Sequence, residues 1–113
     1  MIVAKDFYFE AAHFIPNHDK CGQMHGHSYK LRIICEGHVN ANGMVIDFSE
    51  LKHIVNIYVV NLLDHKCLNE IQGLELPTAE NICEWVKDRL AGRIPLKGVR
   101  LWETKDSYAE LKY

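Results

Sequence analysis

Apolar and polar residues alternate from the first positions of the chain. Between Ile2 and His13, Val3, Phe7, Phe9 and Ala11 share one face with His13, which predicts a strand with one buried side. A second strand begins at His25 or His27 and runs to about Gly37. In it Tyr29, Leu31, Ile33 and Cys35 alternate with Lys30, Arg32 and Glu36. Asn40-Ala41-Asn42-Gly43 is a turn signal, and Met44-Val45-Ile46 reads as short and extended. The period then changes. Asp47 caps a helix, Glu50 follows three residues later, and Leu51, Ile54, Val55, Tyr58 and Leu62 recur at helical spacing. Ile57, Val59, Val60 and Leu63 spread its apolar face almost all round. Residues 61–76 read as a loop. Thr78 caps a second helix with Ala79, Ile82, Cys83, Val86 and Leu90 as its stripe, ended by Gly92 and Pro95. Residues 96–103 and 108–113 form a final hairpin.

The order β-β-α-α-β-β predicts an α+β fold, a four-stranded antiparallel sheet with two helices on one face. Its edges stay exposed in a monomer, and joining sheets edge to edge between subunits would cover them.

The length, 113 residues, suits a single domain spanning residues 1–113. Thirteen basic residues nearly balance fifteen acidic ones, and no basic stripe appears, so nucleic acid is not favoured as a partner. No apolar run approaches the ~20 residues that span a bilayer, and the start lacks a signal-peptide pattern, so a cytoplasmic protein with no membrane partner is expected. The four cysteines, at 21, 35, 67 and 83, form no close pair, which argues against a disulfide framework. Cys35, Cys67 and Cys83 read as packing residues. Cys21 differs, because it lies among polar and glycine residues beside two histidines.

Those histidines carry the strongest chemical signal. His25 and His27, two apart on a strand, point to the same face and can grip one ion. His13, ending the neighbouring strand, makes a third imidazole. Three neutral imidazoles leave a tetrahedral Zn²⁺ one open position, as a catalytic site requires. Cys21 adds either a fourth ligand or a nucleophile or base, and the missing paired cysteines favour the base or nucleophile. His18, His38 and His53 read as ordinary surface residues. Asp64-His65 is either a carboxylate orienting an imidazole or a solvated loop pair. Glu103 shares a face with Val99 and Leu101. A carboxylate there needs a partner, and a ligand with a paired N–H edge would satisfy it bidentately.

These positions together resemble the 6-pyruvoyl-tetrahydropterin synthase / 6-carboxy-tetrahydropterin synthase family. The resemblance runs through Phe9-Glu10-Ala11-Ala12-His13, Cys21-Gly22 with His25-Gly26-His27-Ser28-Tyr29, Gly43-Met44-Val45-Ile46-Asp47-Phe48, Leu63-Asp64-His65 with Leu68-Asn69, Pro77-Thr78 with Glu80-Asn81, and Glu103-Thr104. The short gap from Cys21 to His25 looks like the bacterial 6-carboxy branch of queuosine biosynthesis. The resemblance implies a T-fold (tunnelling fold), with three sheets closed into a barrel, two trimers stacked as a hexamer, and sites between subunits. It implies His13, His25 and His27 as zinc ligands, Cys21 as catalytic cysteine and Asp64 and His65 as a proton relay. Glu103 would anchor the pterin, with Thr78 and Thr104 nearby. The implied substrate is 7,8-dihydroneopterin triphosphate, and the implied products are 6-carboxy-tetrahydropterin, acetaldehyde and triphosphate. Lys20, Lys30 and Arg32 are candidates to meet the phosphates. A pyruvoyl-forming or other side-chain-cleaving relative is the alternative, and a non-catalytic zinc-stabilised assembly module the distant third.

Overall fold

The computed structural model describes residues 1–20 and 22–113; Cys21 lies outside the described residues. The long alternating runs form β1 (Ile2–His13) and β2 (His25–Glu36), paired antiparallel without interruption from Ile2↔Glu36 to His13↔His25. After β2 the chain bends. Asn40 Oδ1 accepts from the N–H groups of Asn42 (2.8 Å) and Met44 (3.1 Å). This Asx-type turn keeps residues 44–46 from extending into a strand.

α1 (Phe48–Val55) starts where Asp47 Oδ1 accepts from Ser49 N–H at 2.7 Å. It continues into a π-helical segment, Asn56–Val60, and a last helical stretch, α2 (Asn61–Leu63). The wider π turn shifts the buried stripe. Leu51 and Val55 are followed inside by Val59, Val60 and Leu63, while Ile57 and Leu62 face out. That shift resolves the seemingly all-round apolar helix. The region read as a loop, residues 61–76, begins with α2 and then contains two further short elements, β3 (Lys66–Cys67) and a 3₁₀ helix (Leu68–Glu70). α3 (Ala79–Leu90) is capped by Thr78, whose hydroxyl accepts from Asn81 N–H at 3.1 Å. The chain ends with the hairpin of β4 (Leu96–Thr104) and β5 (Ser107–Lys112).

The sheet therefore has five strands, in the order β3-β1-β2-β4-β5, rather than four. The extra one, β3, is two residues long and parallel to β1 at Ala11 and Ala12. Two residues carry no periodicity, so nothing in the pattern announces it. The four long strands are antiparallel, as expected.

One face of the sheet meets the helices. Phe7, Phe9, Tyr29, Leu31, Ile33, Val99 and Leu101 pack there against Leu51, Val55, Val59, Leu63, Ile82, Val86 and Leu90. Each such aliphatic or aromatic side chain contributes about 1.5–3 kcal/mol on burial. The other face holds a lattice of charges and rings. Arg32 Nε donates to Asp6 Oδ1 at 2.7 Å, Lys30 lies 3.6 Å from the same carboxylate, and Arg100 pairs with Glu110. Lys30, Arg32 and Arg100 all lie over the Trp102 ring. Cys35 and Cys83 are buried, and burial pushes both thiols up to about 11. Among the described residues, no helix is long and apolar enough to cross a membrane.

Candidate metal centre and adjoining clefts

The antiparallel register sets His13 directly opposite His25, with His27 two residues along on the same face. His13 is 1 % exposed. Its Nδ1 lies 2.8 Å from the Pro77 carbonyl oxygen, and His25 Nδ1 lies 2.7 Å from the Gln23 carbonyl oxygen. A carbonyl can only accept, so both Nδ1 atoms donate, and in the neutral form of each ring the Nε2 is the bare nitrogen. Those two Nε2 atoms sit 3.1 Å apart. Two lone pairs facing each other at that distance repel unless a cation lies between them.

The third ring completes the argument. His27 Nε2 is buried and has no hydrogen-bond partner among the described residues. The ligand atoms of the three rings all lie within 4.8 Å of one another. Four-coordinate zinc with Zn–N bonds of about 2.0–2.1 Å sets neighbouring ligands about 3.3 Å apart. The triad fits such an ion after small ring movements, and it can hold a metal. Burial lowers the His27 pKa, opposed by Glu103 and reinforced by His13 and His25. The ring is thus neutral at neutral pH, the state a ligand needs.

Glu103 projects onto the same spot. Its Oε1 is 3.5 Å from His27 Nε2 and its Oε2 3.8 Å from His13 Nε2. With His27 neutral, that contact is a carboxylate beside an uncharged ring rather than an ion pair. Burial, and after it Glu103, pushes the nearby Tyr29 hydroxyl well above the usual phenol range, so it stays protonated. Glu103 and Thr78 line one cavity of about 380 Å³, with His18, Ser107 and Tyr108 also on its wall. This volume suits a small ligand. His18, read as an ordinary surface residue, belongs to this wall. Thr104 does not. Successive strand residues face opposite ways, and Thr104 lines a cavity of about 300 Å³ with Tyr8, Lys30 and Trp102.

Asp64 and His65 form a pair held on the edge of β1. Asp64 Oδ1 accepts from Glu10 N–H at 2.9 Å, and Oδ2 lies 3.0 Å from His65 Nδ1. His65 N–H donates to the Glu10 carbonyl at 2.6 Å. The Glu10 N–H holds the Asp64 carboxyl below the usual carboxylate range, against a smaller desolvation effect, and His65 helps. His65 has φ 60, a left-handed conformation uncommon for a residue with a Cβ. His65 lines a cleft of about 550 Å³ together with His27, Gly26 and Cys67. Of the pair only His65 is on the wall of this cleft, and of the three histidines only His27.

Cys21, the sequence's candidate nucleophile or base, lies outside the described residues. Its neighbour Gly22 explains the Cys-Gly pairing, because a Cβ there would overlap the His18 carbonyl oxygen. Sequence reasoning missed the Pro77 and Gln23 carbonyls, which have no side-chain signature. It also missed Asn69, although Asn69 stands in the run that carries Asp64-His65.

The family model described as 6-pyruvoyl tetrahydropterin synthase matches residues 2–113. The 6-carboxy-5,6,7,8-tetrahydropterin synthase of Synechocystis sp. is 42% identical, covering 96% of this chain and 90% of that protein. The dihydroneopterin monophosphate aldolase of Pyrococcus furiosus is 38% identical, covering 93% and 91%. Among solved structures, Caenorhabditis elegans 6-pyruvoyl tetrahydropterin synthase superposes with a TM-score of 0.90 over 100% of this chain and 95% of its own, at 23% identity. The fold is thus shared with that protein.

Proposed function

The chain belongs to the 6-pyruvoyl tetrahydropterin synthase family, and on that premise we propose that it is a zinc-dependent 6-carboxy-5,6,7,8-tetrahydropterin synthase. This carbon–carbon lyase would convert 7,8-dihydroneopterin triphosphate and one water to 6-carboxy-tetrahydropterin, acetaldehyde and triphosphate. The observation that carries the proposal is the convergence of three bare imidazole nitrogens beside Glu103, in a chain similar to a synthase of that name.

Glu103 accepts the paired N–H groups of the pterin edge and fixes the ring at the cavity it shares with Thr78. His13, His25 and His27 hold zinc, which when bound supplies Lewis acidity toward the oxygens of the substrate side chain. Cys21, as thiolate, would take a carbon-bound proton from the substrate side chain. Asp64 keeps the His65 ring oriented through Nδ1, which leaves Nε2 to give or take a proton at the other face of the side chain. Thr104 and Lys30, on the opposite sheet face, belong to the same reading only in an assembly where that face meets a neighbouring copy. The working form is a homo-hexamer of two trimers, cytoplasmic, with no nucleic-acid or membrane partner, and its product enters queuosine synthesis.

The test is incubation of the zinc-loaded protein with dihydroneopterin triphosphate and identification of the pterin by mass. The carboxy product with acetaldehyde supports the proposal. A 6-pyruvoyl pterin or a shorter hydroxymethyl pterin overturns it in favour of a relative. The similarity to the Pyrococcus aldolase makes side-chain cleavage the second reading. In Cys21→Ala, turnover falls by roughly 10²–10⁴-fold with zinc retained. Loss of zinc and fold instead makes Cys21 a structural ligand.

A further inference from the structure

The segment after α2 runs along the outer edge of β1. At Glu10 both backbone groups are engaged, the N–H by Asp64 Oδ1 and the C=O by His65 N–H. Ala11 and Ala12 then pair with Lys66 and Cys67 of β3. Beyond Cys67 the chain turns into the 3₁₀ helix and its backbone leaves the ladder. At that point the Asn69 side chain takes over. Its Oδ1 accepts from Phe14 N–H at 3.0 Å, and its Nδ2 donates to Phe14 C=O at 2.9 Å. A carboxamide presents the same donor and acceptor as a peptide group, so Asn69 adds one more rung where the backbone cannot.

Phe14 follows His13 directly and is where the chain leaves the sheet. The excursion that begins there carries Cys21 in sequence and returns at His25, opposite His13. The same short stretch that bears Asp64 and His65 thus grips the stem of the loop between two metal-ligand candidates. Asn69 is half-buried and is absent from the walls of the cavity holding Glu103.

We propose that Asn69 is a positioning residue of this site: its amide clamp on Phe14 sets His13 and the departure of the Cys21 segment relative to the Asp64–His65 pair. The proposal rests on the reading of the site as a zinc-dependent lyase. It predicts that Asn69 acts on the chemical step rather than on substrate capture. Misplacing reacting groups by about 1 Å can cost up to about 10²-fold in rate.

The experiment compares wild type with Asn69→Asp and Asn69→Ala, each loaded with zinc for kinetics and with Co²⁺ for spectroscopy. Asn69→Asp keeps size and the acceptor for Phe14 N–H but loses the donor, so it remains folded if Asn69→Ala does not. Expected in both is a kcat reduced roughly tenfold or more, a KM within about twofold of wild type, and a shifted Co²⁺ visible spectrum at full metal occupancy. A spectrum and kcat equal to wild type in Asn69→Asp overturn the clamp, as does a change confined to KM. Wild type that binds Co²⁺ but does not turn over dihydroneopterin triphosphate defeats the lyase reading alone. The variant spectra then still decide whether Asn69 positions His13. Wild type that neither binds Co²⁺ nor turns over defeats both.

Discussion

His13 and His25 are matched in chemistry but not in setting. His13 is almost wholly buried and holds the Pro77 carbonyl, whereas His25 is half-buried and bonded to Gln23 near the surface. Alanine at either position should drop bound zinc well below one equivalent, measured by elemental analysis. Only His13→Ala should also destabilise the metal-free chain, by about 1–3 kcal/mol, because it leaves the Pro77 carbonyl unpaired and opens a void. Equal melting temperatures of the two metal-free variants would contradict that split. Glu103→Gln keeps shape and loses charge. It should retain zinc and raise KM for the pterin by about tenfold or more, since an amide offers the paired N–H edge one acceptor oxygen and one donor NH2 instead of two acceptor oxygens. The triad was legible because strand alternation is local: residues two apart share a face, and His13 sits on the same face of its own strand. Asn69 was not, because its partner Phe14 lies 55 positions away and is a backbone group with no sequence signature.

The elements show where local pattern suffices. Twelve-residue alternation specified β1 and β2, and Asp47 and Thr78 marked both long helix starts. The π-helical segment escaped, because one extra residue in a turn changes which positions face inward without changing composition. It has a specific support. Arg89 Nε donates to the Tyr58 carbonyl at 2.9 Å, and the Arg89 and Arg93 guanidinium groups lie against the Tyr58 ring. Arg89→Met keeps the aliphatic stem and removes the donor. It should cost about 1–2 kcal/mol, read as a melting temperature lower by roughly 4–8 °C. An unchanged melting temperature would mean that water replaces the guanidinium without cost.

At the scale of the molecule, the open sheet face and the strand edges invite partners. β3 shields β1 only at Ala11 and Ala12, and β5 is the edge strand on the other side of the sheet. Light scattering should give six chains per particle, and a stable monomer at micromolar concentration would refute the barrel proposed for this chain. The open face also has a pH signature. The hydrogen bond from Arg32, aided by Lys30 and opposed by burial, lowers the Asp6 pKa from 3.8; the bond from Arg100 lowers that of Glu110 from 4.5. A depressed carboxylate stabilises the fold above its unfolded pKa and loses that contribution as pH falls through its folded value. Each pair contributes about 0.5 kcal/mol at neutral pH. The double variant Asp6→Asn, Glu110→Gln should therefore melt below wild type at pH 7, with the gap closing below about pH 4. A gap that does not narrow as the pH is taken down from 4 would assign these residues a packing role instead.

The sequence by itself determined which side chains share a face. Alternation in covalent geometry brings His25 to His27, and no packing is needed to know it. Only the tertiary structure decided which nitrogens are bare, that Thr104 serves a different cavity, and that Asp64, His65 and Asn69 grip β1 at Glu10 and Phe14. Those facts depend on backbone carbonyls and amides, which every residue carries alike. Their pairing is set by the folded path of the chain, not by the identity of the residue that bears them.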